Sequence, residues 1–288
     1  MFFPTERLYK MTTGVFFHEL FSQKVWHIIN DKFQNFPSVM QEVLALPNVK
    51  LYEPKKVDEE LLRKVHTERF INNLKQQWYS DGAYYTIGGN VEAAEMIMRG
   101  NLTNALTFGV AAGHHAERDS AWGGTYASVS GPVIAHLEDQ YPGIKVAILD
   151  TDSHHGNGTR DVTSGNHNVL HVCFCSTDRV EDQGTKICVD SGFQTDDQSY
   201  LKLVEKEFFG RLDEFSPDII IHLLGHDTAR GDYGDRGLSM QFFTKLVQKI
   251  KNEADVCDGR YLINTHGGAR VDICEFVYTN AIKILAEH

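Results

Sequence analysis

Short apolar runs rich in β-branched residues recur along the chain at Ala105–Ala111, Lys145–Asp150, Asn168–Phe174, Asp218–Leu224 and Arg260–Asn264. Between most of them lie segments whose apolar residues return with a helical period: Val91–Arg99, Tyr126–Gln140, Asp197–Phe215 and Gln241–Glu253. A last helix is expected from about Val271 to Ala286. Continuous apolar strands alternating with helices read as βαβ units. They predict an α/β fold: a mostly parallel β-sheet flanked by helices in three layers. No repeat, low-complexity segment or Pro/Gly/Ser linker interrupts the pattern, so residues 1–288 read as a single domain.

Composition narrows the class. Lys and Arg number 28 against 39 Asp and Glu, a net charge of −11. Such a surface lacks the clustered cations that a nucleic-acid backbone requires, so no nucleic-acid partner is expected. Five cysteines, an odd number without a C-x-x-C pair, argue against a disulfide framework and for a reducing compartment. Pro4, Glu6 and Arg7 interrupt the apolar run that a signal peptide needs, and no stretch approaches the ~20 apolar residues of a membrane span. The expectation is a cytoplasmic protein without a membrane partner; the sequence specifies no oligomer.

In parallel sheets the ligand site lies beyond the carboxyl ends of the strands. Ala105–Ala111 leads into Gly113-His114-His115, and Lys145–Asp150 into Thr151-Asp152-Ser153-His154-His155-Gly156-Asn157-Gly158. Asp218–Leu224 leads into Gly225-His226-Asp227, and Arg260–Asn264 into Thr265-His266-Gly267-Gly268. Gly, Asn and Asp are ordinary turn residues, and one such loop would mean little. Four strand ends of this kind point to a site.

Asp152 and His154 stand two apart on an extended strand end, so both can face one metal ion, and Asp227 could supply a third ligand. Two carboxylates and one imidazole leave coordination positions for water and a substrate oxygen, as a catalytic zinc site requires; the same set accepts ferrous iron. The adjacent His114 and His115 suit proton transfer beside such an ion.

Together these motifs resemble the histone deacetylase family, which includes acetoin-utilisation proteins and acetylpolyamine amidohydrolases. The resemblance runs from Leu61-Leu62-Arg63-Lys64-Val65-His66-Thr67 through Ile87-Gly88-Gly89, Gly113-His114-His115-Ala116 and the Asp150–Gly158 segment. It continues through Gly225-His226-Asp227-Thr228-Ala229-Arg230-Gly231-Asp232 to Gly267-Gly268. It implies an arginase-deacetylase fold with Asp152, His154 and Asp227 ligating zinc. His115 would take the proton of the attacking water and return one to the leaving amine, while His114 stays near the substrate oxygen. Asp150 would hydrogen-bond one of the tandem histidines and Asn157 would stand behind the other. A monovalent cation such as K⁺ beside the strand carrying Asp150 and Asp152 is also implied.

The chain departs from the family pattern at three places. The family's Gly-Gly-Tyr, whose hydroxyl polarises the scissile carbonyl, reads Gly267-Gly268-Ala269 here. Losing one such donor costs about 10²–10³ in rate. His266, Arg270, Tyr126 and Tyr233 are candidates to replace it. The loop Trp122-Gly123-Gly124-Thr125-Tyr126 stands where the family has Gly-Phe-Cys, which predicts a wider channel at Gly124. The stretch Trp78–Thr86 is short for the family's substrate rim, with Asp81 as its one candidate remnant.

The resulting expectation is a zinc-dependent amidohydrolase for an acylated amine or other small acylated substrate. A metal-binding protein without turnover, holding a ligand or partner at the altered Ala269 loop, is the alternative. An arginase-like binuclear centre is disfavoured, because His155-Gly156 and Thr228-Ala229 stand where extra carboxylates would be needed. Cys173 and Cys175 share a strand face and read as small buried hydrophobes. His222 and His226 have helical-ligand spacing but fall on a strand and its end.

Overall fold

A computed structural model describes residues 11–287; the N-terminal segment with Pro4, Glu6 and Arg7 lies outside them. Nine strands form one sheet in the order β2-β1-β3-β9-β8-β4-β5-β7-β6. They are β1 (Thr13–Phe16), β2 (Val49–Tyr52), β3 (Asn104–Thr107), β4 (Val146–Asp150), β5 (Val169–Cys175), β6 (Arg179–Glu181), β7 (Lys186–Asp190), β8 (Ile219–Leu224) and β9 (Tyr261–Thr265). Every pair is parallel except β6 with β7. The central strands β3, β4, β5, β8 and β9 are buried at every position, which is why they read as continuous apolar runs rather than alternating ones.

Helices flank the sheet. Ser80–Met98 packs on β3 and beside Ser130–Gln140, while Val271–Ala286 packs against Met240–Glu253 and over β1 and β3. The α/β expectation therefore holds, with corrections to its elements. The first predicted helix begins at Ser80 rather than Val91, so Trp78–Thr86 is largely its opening turns and not an open rim. Gly82, Gly88 and Gly89 hide it, because glycine is a poor helix former. Gly88 is needed there: any Cβ would overlap the Lys55 carbonyl oxygen. Asp81 sits in that helix's first turn and pairs with Lys56 at 2.7 Å on the surface.

The strand predicted through Ala111 ends at Thr107, and Ala111 takes a left-handed backbone (φ 62°) that turns the chain toward the tandem histidines. The helix predicted from Tyr126 starts at Ser130, and Asp197–Phe215 carries a π-helical turn at Glu205–Phe209. The four-residue strands β1 and β2 were too short to show a period.

Several histidines are structural. His66 accepts the Ser128 N–H at 3.0 Å, and His222 bridges Thr151 Oγ1 (2.9 Å) and Tyr261 Oη (2.8 Å) from within β8. Burial lowers the pKa of His66 to about 4 and those of His222 and His266 to about 3. In the unfolded chain a histidine titrates near 6.5. Between that value and about 4 the unfolded chain binds protons that the folded chain refuses, so stability falls as pH falls. Asp227, pushed up to about 7 by burial and by Asp152, opposes this, but the lowered His66, His115, His171, His222, His226 and His266 outnumber it. Each such histidine contributes up to about 1.4 kcal/mol per pH unit. The urea midpoint should drop progressively from pH 6.5 to 4; a midpoint constant over that window would contradict the assignment.

Candidate metal centre and active site

Strands β3, β9, β8 and β4 are neighbours in the sheet, so the loops leaving their carboxyl ends meet. Past β4, the Asp152 N–H donates to Asp150 Oδ1 (3.2 Å) and the His154 N–H to Asp152 Oδ1 (2.9 Å). These local bonds curl the strand end and fix its carboxylates. The Ser153 N–H reaches Asp227 Oδ1 at 3.1 Å, tying the β4 loop to the β8 loop. From the β9 loop the Gly267 N–H donates to Asp152 Oδ2 at 3.0 Å. Only glycine fits there, since a Cβ on Gly267 would overlap that same oxygen.

His154 Nδ1 lies 2.9 Å from Asp152 Oδ1 and 3.0 Å from Asp227 Oδ2. The three donor atoms fall within 4.8 Å of one another. Around a tetrahedral ion with N and O ligands near 2.1 Å, neighbouring donors stand about 3.4 Å apart. The set therefore fits a divalent ion with a few tenths of an ångström of expansion. Hydrogen bonds to Asp152 and Asp227 raise His154 to about 10, so without metal the imidazole holds a proton where an ion would sit. Burial and the Asp152 charge raise the Asp227 carboxyl to about 7. Burial also disfavours the Asp152 carboxylate, but the His114 and His154 cations outweigh it and hold its pKa well below the usual range.

The tandem histidines lie beside this set with different partners. His114 Nδ1 bonds Asp150 Oδ2 at 2.7 Å, and His115 Nδ1 bonds Asn157 Oδ1 at 2.8 Å. Asn157 in turn donates to Glu117 Oε1 at 2.8 Å. The two Nε2 atoms are 3.2 Å apart. Burial works against a charged His114, but Asp150 and Asp152 prevail and lift it to about 9. Burial and the His114 charge push His115 down to about 4. One ring is thus a cation and its neighbour a neutral base whose Nε2 faces the Nε2–H of the first.

All seven residues singled out in the sequence (His114, His115, Asp150, Asp152, His154, Asn157 and Asp227) come together. The site opens into a cavity of about 270 Å³ whose lining includes His114, His115, Asp152, His154, Trp122 and Tyr233. Of the four candidates to replace the family tyrosine, three are otherwise engaged. His266 accepts the His114 N–H on Nε2 (3.1 Å) and bonds Asn264 Oδ1 through Nδ1 (3.0 Å), which also leaves it no lone pair for a second metal. Arg270 pairs with Asp272 on the surface. Tyr126 stacks on Tyr79 away from this cavity. Tyr233 remains.

The Tyr233 ring is 55% exposed at the cavity mouth, but its hydroxyl reaches inward. It accepts the Gly268 N–H at 2.8 Å, and its ring lies 5.6 Å from that of His154. Its O–H proton is therefore free to donate into the cavity. Burial and the neighbouring Asp152 raise its pKa well above the usual tyrosine value, so it stays protonated. Asp232 fixes the loop, accepting the Ala269 N–H (3.0 Å) and Arg270 N–H (2.9 Å).

Sequence reasoning missed two further groups. Trp122 stacks on His115 with centroids 3.8 Å apart, so an aromatic wall exists two residues before Gly124. Buried Lys32 donates to the His266 carbonyl close to Asp152, Asp227 and Asp232; burial lowers its pKa against the pull of these carboxylates. Lys32 lies in a segment with no motif, and its role depends on the fold alone.

The chain has relatives in sequence and a match among solved folds. A "probable deacetylase" of Archaeoglobus fulgidus is 24% identical over 302 residues, covering 91% of this chain and 82% of that protein. Histone deacetylase 15 of Arabidopsis thaliana is 27% identical over 212 residues, 67% of this chain but 38% of the plant protein. Histone deacetylase 4 of Caenorhabditis elegans is 26% identical, and the match spans 25% of its length. The crystal structure of the HDA15 HD domain matches 96% of this chain and 88% of its own, with a TM-score of 0.85 at 20% identity. The histone deacetylase domain signature covers residues 76–285, well over half of the sequence, and on that ground the chain belongs to the histone deacetylase domain family.

Proposed function

We propose that the protein is a zinc-dependent amidohydrolase that cleaves the acyl–nitrogen bond of an acylated amine or other small acylated substrate. The observation that carries this reading is the meeting of the Asp152, His154 and Asp227 donors beside the His114–His115 pair on one cavity. A bound zinc ion would supply Lewis acidity there, polarising the scissile carbonyl and acidifying a water. A monovalent cation beside the Asp150–Asp152 strand end belongs to the same reading as a structural adjunct.

The residues then divide the proton work. His115 carries its proton on Nδ1, where the Asn157 amide oxygen accepts it. Its Nε2, which the His114 Nε2–H approaches at 3.2 Å, takes a proton from the attacking water once that contact opens and passes it to the leaving amine. His114, held charged by Asp150, opposes the negative charge that builds on the carbonyl oxygen. The Tyr233 hydroxyl is oriented by Gly268 and takes the part that Ala269 cannot play. Because it arrives from the β8 loop rather than the β9 loop, the gap at Ala269 does not imply a dead site. Trp122 and the small cavity favour a compact acyl group over a long one.

Zinc-loaded protein given paired acetyl-lysine and trifluoroacetyl-lysine substrates should turn over both and lose both in Asp152→Ala. Absence of turnover on either substrate, with metal bound, would leave the non-catalytic reading standing. Tyr233→Phe should lower kcat on the acetyl substrate by about 10²–10³ and on the activated trifluoroacetyl substrate by much less. Equal turnover of wild type and variant on the acetyl substrate would remove Tyr233 from the mechanism.

A further inference from the structure

On the far side of the β4 loop lies a second cluster of metal-ligand atoms. Cys173 and Cys175 project from one face of β5, and Cys188 on β7 is the registered partner of Cys173. His155, next to the catalytic-site His154, completes the group. All three thiols are buried, and they form a cluster separate from the main apolar core. The four donor atoms (three Sγ and one imidazole nitrogen) lie within 4.8 Å of one another.

The two sulfur–nitrogen distances suit a tetrahedron. With Zn–S near 2.3 Å and Zn–N near 2.0–2.1 Å, a sulfur and a nitrogen on one ion stand about 3.6 Å apart. His155 Nδ1 lies 3.2 Å from Cys188 Sγ and 3.9 Å from Cys175 Sγ, on either side of that value. Two N–H donors reach the sulfurs. The Gly156 N–H donates to Cys173 Sγ at 3.3 Å, and Arg160 Nη2 donates to Cys188 Sγ at 2.8 Å. Donors of this kind support ligands from outside the coordination sphere, and the guanidinium offsets the negative charge of three thiolates on a divalent ion. Inert buried cysteines would have no need of an imidazole and a guanidinium aimed at their sulfurs.

We propose that His155, Cys173, Cys175 and Cys188 form a second metal site that binds a thiophilic divalent ion, Zn²⁺ foremost, in a structural role. Four protein ligands close a tetrahedral sphere and leave no position for substrate, which separates this site from the open Asp152–His154–Asp227 set. The site pins β5, β7 and the loop Asp152–Asn157 together. That loop carries two members of the candidate catalytic metal set and the partner of His115. The inference depends on no assumption about the reaction.

Metal content and cobalt absorption of the full chain test it. Zinc-loaded wild type should hold two ions per chain, and Cys175→Ser and Cys188→Ser should each lose one. Loaded with Co²⁺, wild type and Asp152→Ala should both show thiolate-to-cobalt charge-transfer absorption, because the carboxylate–imidazole site contributes none. The band should vanish in the cysteine variants. A wild type without that band, or a Cys188→Ser chain that keeps it, would overturn the site. An intact mass showing a disulfide within the cluster would overturn it equally. If the cysteine variants do not fold, the spectra of wild type and Asp152→Ala decide the question alone.

Discussion

The architecture turns on the crowding of negative charge at one sheet edge. Asp150, Asp152 and Asp227 are all buried within a few ångströms of one another, in a medium that penalises even one unpaired carboxylate. The surrounding sequence supplies compensation. His114 holds Asp150, His154 bridges Asp152 and Asp227, Lys32 approaches from beneath, and backbone N–H groups from Ser153 and Gly267 fill remaining lone pairs. Asp152 and His154 line the cavity, where a divalent cation would take the place of the proton that His154 holds between the carboxylates.

The same charge distribution separates the two neighbouring histidines. His114 faces the carboxylates and becomes a cation, while His115 faces a neutral amide and the His114 charge and stays neutral. Two residues of one type, adjacent in sequence, thus acquire opposite protonation states from their partners.

The central strands and the site's core were legible because their signals are local. A fully buried parallel strand shows as an unbroken apolar run, and Asp152, His154 and Asp227 follow such runs directly. What stayed hidden depends on contacts between distant segments. Lys32 reaches the cavity from a segment without periodicity. Cys188 meets Cys173 only through the register of β7 on β5, so two thiols on one strand face looked like simple core residues. The helix from Ser80 was masked by glycines that close packing demands, as Gly88 against Lys55 shows. Ala269 stood out at the place of the family tyrosine and Tyr233 was one of four candidates to stand in for it, but which of them brings a hydroxyl to the cavity depends on which loops meet.

The most direct test of the charge account is the pH dependence of zinc binding by the class of site that Asp152→Ala removes. Metal must displace the proton that Asp152 and Asp227 hold on His154, whose pKa they raise to about 10. Affinity at that site, measured against a competing chelator from pH 6 to 8.5, should therefore tighten about tenfold per pH unit above pH 7 and more steeply below it, where the Asp227 carboxyl also gives up a proton. An affinity independent of pH over that range would mean that the carboxylates do not hold a proton where the metal binds, and the account would fail.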